Sequence, residues 1–217
     1  MAPEAAARAD TFPNLLIRNA RLFGSRPSMR HKSYGIWQTW SWNQVLQIVR
    51  CYAVGLHRLG LTRGETIAIA GANRPRLYWT MMAAQMLGAI PVPVYADAVA
   101  DELAFVLSHA GTRFAAVEDQ EQVDKIISIK ERLPALERIL YEEKRGLRDY
   151  DHSRLHCMDE VIADGRQTLA EDGGLSAWLD AEIASGKGSD PSIILYTSGT
   201  TGTSKGVVFT SECSILA

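Results

Sequence analysis

The sequence predicts an α/β protein in which largely parallel sheets carry helices on both faces. Short runs of apolar, β-branched residues alternate along the chain with longer segments whose apolar residues recur at helical spacing. The runs at residues 66–70 and 89–94 are apolar throughout, which is typical of strands that helices cover on both sides. Glycine or proline separates most of these segments. Such alternation predicts a parallel sheet with crossover helices.

A helix, a hairpin and a second helix are predicted before the first of these strands. Residues 14–23 carry apolar side chains along one stripe, which indicates a short amphipathic helix. Residues 30–40 alternate large side chains around a glycine, a pattern that favours a hairpin. Ser41 and Gln44 form a capping box, which begins a helix that ends at Gly60.

The central part of the chain alternates strands and helices. Pro75 suits the first turn of a helix that continues to Leu87 and is apolar on most of its faces, so this helix should be deeply buried. Two further segments with helical spacing are each followed by an apolar strand. The predicted helices cover residues 101–109 and 121–132, and the predicted strands cover residues 113–117 and 138–141.

The region before the last strands is more polar. Residues 142–154 are dense in charge and poor in large aliphatic side chains, so we expect a solvated surface segment. Two short helices are expected between residues 157 and 183, around 159–163 and 175–183. Residues 184–190 contain glycine and serine and indicate a flexible connector into the next apolar strand.

Composition limits the classes of function. The chain has 217 residues and a net charge of −2, without the basic excess of a nucleic-acid-binding surface. Its three cysteines lack metal-ligand spacing, which indicates free thiols in a reducing cytoplasm. Residues 1–12 lack the pattern of a secretory signal and are predicted to be a disordered leader. Proline and glycine interrupt the most apolar window, 77–94, so we expect no transmembrane segment, and peripheral membrane contact stays open.

The stretch from Ile193 to Phe209 contains the strongest functional signal. Two β-branched apolar strands, which we expect to be buried, flank a loop of hydroxyl-bearing residues and glycines that ends in a lysine. Glycine lets backbone N–H groups approach an anion, hydroxyls bind phosphate oxygens or Mg²⁺, and lysine supplies a compact positive charge. The sequence therefore predicts a phosphate-binding loop formed by Thr197, Ser198, Gly199, Thr200, Thr201, Gly202 and Lys205.

This loop differs from a Walker loop, in which glycine precedes the lysine and serine or threonine follows it. Here Ser204 precedes Lys205 and Gly206 follows, and the next residues indicate a strand rather than a helix. The alternative is an ordinary hairpin loop rich in glycine and threonine. We favour phosphate binding because the run of hydroxyls and glycines is long and ends in a lysine.

Other chemistry-bearing residues are assigned structural roles. The five histidines lack metal-ligand spacing, so surface or helix-end positions are expected. Three neighbouring tryptophans are expected to form a core cluster, with an apolar ligand site as the alternative, and three carboxylates are expected to cap a helix. The tryptophans are Trp37, Trp40 and Trp42, and the carboxylates are Asp97, Asp101 and Glu102. Ser198 has no identifiable base, so no catalytic residue is assigned.

Tyr196 to Gly206 resembles the signature loop of the AMP-forming adenylating enzymes, which include acyl-CoA synthetases, peptide-synthetase adenylation domains and luciferases. The likeness covers residues 14–209. The run Gly88–Tyr95 resembles the long-chain fatty-acid branch in particular. Ser204 stands where the family usually has proline, a change that removes no phosphate ligand. Ser211 stands where the family often has a histidine, so any role of that histidine in an acyl pocket does not carry over.

The resemblance implies the first part of the large N-terminal domain of these enzymes, with residues 13–217 as an incomplete AMP-binding domain. It implies a ligase that activates a long-chain fatty acid with ATP to an acyl-adenylate and transfers the acyl group to coenzyme A. The loop would hold the β- and γ-phosphates, and Thr197 would also approach Mg²⁺. The adenine, ribose and glutamate segments of the family, and its C-terminal domain, would lie beyond residue 217.

Three hypotheses remain open from the sequence. The first is an N-terminal fragment of such a ligase, for which we expect no turnover by residues 1–217 alone. The second is a non-catalytic nucleotide-binding or interaction protein. The third keeps the ligase class and changes the acid to an aromatic, medium-chain or amino acid, or the acceptor to a carrier protein. For the first hypothesis the partners of the full-length ligase are small molecules, namely ATP, a fatty acid and coenzyme A.

Overall fold

The computed structural model describes residues 10–197 and 204–216. In chain order the elements are α1 (Phe12–Phe23), β1 (Pro27–Ser33), β2 (Ile36–Ser41), α2 (Trp42–Arg58), β3 (Thr66–Ala70), α3 (Pro75–Met86), β4 (Ile90–Val94), α4 (Ala100–His109), β5 (Phe114–Val117), α5 (Gln120–Ser128), a 3-10 turn (Lys130–Arg132), β6 (Arg138–Tyr141), β7 (Leu155–Cys157), α6 (Met158–Glu171), α7 (Gly173–Ser185), β8 (Pro191–Thr197), β9 (Lys205–Thr210) and α8 (Ser211–Leu216).

A five-stranded parallel sheet forms the centre of the protein, with the strand order β4-β3-β5-β6-β7. Every residue of β3 and β5 is buried, which explains why these runs are apolar without alternation. The hairpin β1–β2 and the hairpin β8–β9 form two separate antiparallel pairs. The predicted α/β class with a parallel sheet is confirmed.

Helices cover both faces of this sheet, as predicted. On one face, Ile67 and Ile69 of β3 belong to a first core that packs against α1, α2, α3, α6 and α7. On the other face, Ala68 and Ala70 belong to a second core that packs against α4 and α5. The alternation of β3 side chains between the two cores follows from the twofold period of a strand. The sheet therefore separates two layers of helices.

Local signals near the start of the chain are confirmed in detail. The Ser41 hydroxyl accepts a hydrogen bond from the Gln44 amide at 3.3 Å, and the Ser41 amide donates to the Gln44 side chain at 2.8 Å, which completes the capping box. The turn of the β1–β2 hairpin consists of Tyr34 and Gly35, both with positive φ, at 48° and 81°. Positive φ at both central residues is the pattern of a type I′ hairpin turn.

The polar region before the last strands is more ordered than its sequence indicates. The two expected helices are present: α7 agrees closely with the prediction and runs from Gly173 to Ser185, whereas α6 is longer than expected and runs from Met158 to Glu171. The sequence interpretation also missed the short strand β7. The expected solvated segment contains Leu147, which is buried in the second core. The expected flexible connector ends in a turn, in which the Lys187 amide donates to the Asp190 carboxylate at 2.8 Å.

Two assignments of individual side chains need correction. The expected tryptophan cluster is wrong for Trp37, which is 64% exposed, whereas Trp40 packs edge-on against Trp79 with ring centroids 5.3 Å apart. Trp42 is partly buried against the first core.

The expected side-chain cap of α4 is absent in the described structure, because the capping position is a valine. Asp97 lies before that position, Asp101 and Glu102 lie in the first turn, and Asp101 pairs with Arg132 at 2.6 Å.

Two further expectations concern thiols and membranes. All three cysteines are free: Cys51 and Cys157 are buried, and Cys213 is exposed. Within residues 10–197 and 204–216, no helix has both the length and the apolar composition that crossing a membrane requires.

Helices α2 and α6 approach each other closely because glycine occupies the contact on both. A Cβ on Gly165 would overlap the backbone oxygen of Cys51, and a Cβ on Gly55 would overlap the backbone oxygen of Val161. These two glycines therefore set the distance between the helices.

We expect Gly165→Ala to lower the free energy of unfolding by about 1–3 kcal/mol, the usual cost of overpacking a tight contact. Gly173→Ala is the matched control, because a Cβ at this helical position meets no atom within 4 Å. Urea denaturation followed by circular dichroism measures both changes. A Gly165→Ala protein as stable as the control would contradict the inferred close contact.

Candidate functional site

The predicted phosphate-binding loop connects β8 to β9. These strands pair antiparallel with Thr197 opposite Lys205, so the first and last residues of the predicted site lie side by side at the end of the hairpin. Both residues are exposed. The other predicted residues lie outside the described part of the chain: Ser198, Gly199, Thr200, Thr201 and Gly202. A hydroxyl and an ammonium group are thus brought together from opposite ends of the loop.

The hairpin lies beside β4, the edge strand of the parallel sheet. The inner face of β8 contacts the second core through Ile194 and Tyr196. At the end remote from the loop, the Gln85 side chain of α3 donates a hydrogen bond to the Ser192 carbonyl at 2.9 Å. The Ser192 hydroxyl donates to the Phe209 carbonyl at 3.2 Å and links the two strands. The hairpin is therefore attached to the sheet by packing and to α3 by a hydrogen bond.

The outer face of the hairpin corrects the expectation of two buried strands. Leu195 and Val207, which pair across the two strands on this face, are 36% and 41% exposed, and Val208 on the opposite face is 55% exposed. A strand is buried on both sides only where a layer of structure lies on each face, and these side chains show that neither face of the hairpin is fully covered. Continuous apolar composition alone does not distinguish these two situations.

Tyr196 connects the loop end of the hairpin to the helix α4. Its hydroxyl lies 2.7 Å from Nδ1 of His109, the last residue of α4, and burial raises the pKa of the phenol. Its ring also lies over Gly206, where a Cβ would come within 3.0 Å of the tyrosine Cζ. The sequence interpretation gave the histidine only a surface or helix-end role. No local signal indicates this contact, because 87 residues separate the partners.

The expected Mg²⁺ contact of Thr197 stays a prediction. The described residues include no group of three or more histidine, cysteine, aspartate or glutamate side chains that could hold a metal ion. The hydroxyl of Thr197 and the ammonium of Lys205 suit an anionic ligand that carries its own metal, because neither group alone forms a metal site.

A second concave region lies between the β1–β2 hairpin and the carboxyl ends of β3, β5 and β6, with a volume of about 860 Å³. Four of its charged groups form pairs: Arg74 pairs with Glu118 at 2.7 Å, and Arg76 approaches Glu142 at 3.5 Å. The Ala72 amide donates to Glu118 at 2.6 Å. Burial raises the pKa of Glu142, against the opposing effect of Arg76. Carboxylates directly after two strands were a signal of this cleft that the sequence interpretation did not use.

Residues 16–216 match the family of AMP-binding enzymes, and the protein belongs to that family. The human long-chain-fatty-acid–CoA ligase ACSBG2 is 28% identical over 202 residues, which cover 93% of this chain and 29% of that protein. The rat long-chain-fatty-acid–CoA ligase ACSBG1 is 27% identical over 191 residues, which cover 88% of this chain and 25% of that protein. The chain spans less than a third of the length of these curated relatives.

Solved structures of adenylating enzymes share the fold. The anthranilate–CoA ligase AuaEII in complex with anthranoyl-AMP matches with a TM-score of 0.77 at 22% identity, over 93% of this chain and 35% of that chain. The N-terminal domain of FACL13 from Mycobacterium tuberculosis matches with a TM-score of 0.70 at 23% identity, over 93% of this chain and 44% of that chain. The predicted architecture of the N-terminal domain is thereby confirmed.

We expect Gln85→Met to lower the free energy of unfolding by about 1 kcal/mol, because the Ser192 carbonyl loses its hydrogen bond while the volume is nearly kept. Gln167→Met is the control, since that exposed glutamine bonds only within its own helix, to Glu171 at 2.8 Å. Urea titration of both variants gives the comparison. Equal stability would show that the contact with α3 does not hold the hairpin.

Proposed function

We propose that this chain supplies the phosphate-binding part of an AMP-forming acid–thiol ligase. The substrates are ATP, a long-chain fatty acid and coenzyme A, and Mg²⁺ accompanies the nucleotide. The observation that carries the proposal is the pairing of Thr197 with Lys205 at the base of the predicted loop. Membership of the AMP-binding family supports it independently.

The chemistry requires charge stabilisation at a triphosphate. A carboxylate attacks the α-phosphate of ATP, an acyl-adenylate forms, and pyrophosphate leaves; a thiol then displaces AMP. Negative charge therefore collects on the departing phosphates, where preorganised donors stabilise it. In the proposal Lys205 donates to these phosphates, Thr197 donates its hydroxyl beside them, and the loop between the two supplies backbone N–H groups. Mg²⁺ would add positive charge at the same oxygens.

The long-chain substrate is the finer part of the proposal. Its support is the similarity to curated long-chain ligases and the run Pro91–Tyr95, which the structure places in and just after β4. The matched relatives are more than three times as long as this chain, and the activity of the whole protein is part of the proposal. A ligase for another carboxylic acid is the alternative that shares the same loop.

The proposal also covers the domain and its compartment. We assign residues 13–217 to an AMP-binding N-terminal domain, a range that the family match at residues 16–216 supports. We place the protein in the cytoplasm, and its three free thiols support a reducing compartment.

We expect Lys205→Ala to weaken binding of Mg-ATP by at least about tenfold, because a charge-assisted hydrogen bond to phosphate is lost. Lys187→Ala is the matched control, since Lys187 is an exposed lysine just before the other end of the same hairpin. Isothermal titration calorimetry of the 217-residue chain gives both affinities. Equal affinities of the two variants would refute the role of Lys205 in phosphate binding.

The carboxylic acid substrate is tested with the protein that the complete reading frame containing these residues encodes. We expect pyrophosphate release to be fastest with palmitate in a panel that includes octanoate, benzoate and anthranilate. Preference for an aromatic acid would replace the long-chain substrate and leave the ligase class intact. No release with any acid, together with Mg-ATP binding by the chain, would favour a non-catalytic nucleotide-binding protein.

A further inference from the structure

We propose that His109 is a positioning residue for the phosphate-binding loop and acts through Tyr196. The two residues share the 2.7 Å hydrogen bond between Nδ1 and the phenol oxygen. The inference rests on the proposed function only for the identity of the ligand, because the contact itself belongs to the hairpin. It assigns a role to a histidine that lies 87 residues before the loop.

The imidazole is held in place by its own helix. The ring of Phe105, one turn earlier in α4, stacks on His109 with centroids 5.5 Å apart and an interplanar angle of 24°. The Tyr196 ring meets the imidazole edge-on, at 5.8 Å and 88°. The imidazole is thus already oriented with Nδ1 toward the tyrosine, so less conformational entropy is lost when the hydrogen bond forms.

The phenol of Tyr196 stays protonated at neutral pH, because burial raises its pKa. The bond forms with either imidazole tautomer: the hydroxyl donates to Nδ1 when the ring proton is on Nε2, and it accepts from Nδ1 when the proton is there. In both cases loss of the imidazole leaves the phenol without this partner.

Tyr196, held by His109, contacts the strands on both sides of the loop. It directly precedes Thr197, and across the hairpin it pairs with Gly206, which directly follows Lys205. Since a Cβ on Gly206 would lie 3.0 Å from Cζ and 3.2 Å from the hydroxyl, the tyrosine ring rests against the opposite strand. One side chain therefore contacts both strands immediately behind the two residues that frame the loop.

The loop end of the hairpin depends on this contact. The hydrogen bonds of Gln85 and Ser192 lie at the other end of β8. Among the side-chain hydrogen bonds of residues 10–197 and 204–216, the bond from Tyr196 to His109 is the one that ties the loop end to the helical layer. Losing it should allow Thr197 and Lys205 to move relative to each other.

The test uses His109→Ala, Tyr196→Phe and their combination in the 217-residue chain. We expect each single variant to weaken binding of inorganic tripolyphosphate by about three- to tenfold, the effect of one hydrogen bond. Amide hydrogen exchange at Thr197, Lys205 and Gly206, followed by NMR, should accelerate by a similar factor. The combined variant should be no weaker than either single one, because both remove the same bond.

Two further variants separate positioning from general stability. His109→Asn, whose amide can occupy the place of Nδ1, should restore most of the affinity. Ser108→Ala, in the same exposed turn of α4, should match the wild type and controls for the change in helix propensity. The thermal midpoint should change little in all of these variants.

The outcomes distinguish this inference from the proposed function. If the wild-type chain does not bind tripolyphosphate, the proposed function fails, and exchange at the loop end still decides the role of His109. If the wild type binds and His109→Ala changes neither affinity nor exchange, the positioning role is wrong. A lowered thermal midpoint without rescue by His109→Asn would also overturn it, because the histidine would then be merely structural.

Discussion

The burial of the parallel sheet between two helical layers is the constraint on which the other features depend. Strand β3 directs Ile67 and Ile69 to one core and Ala68 and Ala70 to the other, so neither face can be exposed without loss of apolar burial. The small residues face the layer of α4 and α5. In this arrangement β4 is an edge strand against which β8 packs, and α4 reaches β8 through the bond between His109 and Tyr196, so both elements determine where the β8–β9 hairpin attaches.

The candidate site depends on the antiparallel pairing of the β8–β9 hairpin. An antiparallel pair returns the chain to its starting point, so Thr197 and Lys205 lie opposite each other although a whole loop separates them in sequence. A phosphate cradle needs donors from both ends of its loop at a fixed spacing, and strand pairing provides that spacing. The cleft at the carboxyl ends of β3, β5 and β6 has a volume of about 860 Å³, but two of its arginines, Arg74 and Arg76, already pair with Glu118 and Glu142.

Features set by neighbouring residues could be predicted from the sequence, and those set by distant contacts could not. The bounds of β3 and β6 and the capping box at Ser41 agree with the prediction because their causes lie within a few residues. Helix α6 is longer than expected and continues through Gly165, a residue type of low helix propensity. In the structure that glycine lies inside the helix and permits close contact with Cys51 of α2. Such a contact leaves no mark in the local pattern.

The same distinction applies within the candidate site. Its residue types come from the sequence of the loop and stay a prediction, whereas its attachment to α4 has no signal in the sequence. Glycine in a loop of this kind suggests room for an anion, but the space beside Gly206 is filled by the ring of Tyr196. The lack of a side chain at Gly206 therefore makes room for the ring of Tyr196, whose hydroxyl forms the hydrogen bond with His109. A conservative change at Gly206 would act on the loop through displacement of that ring, without touching a phosphate ligand.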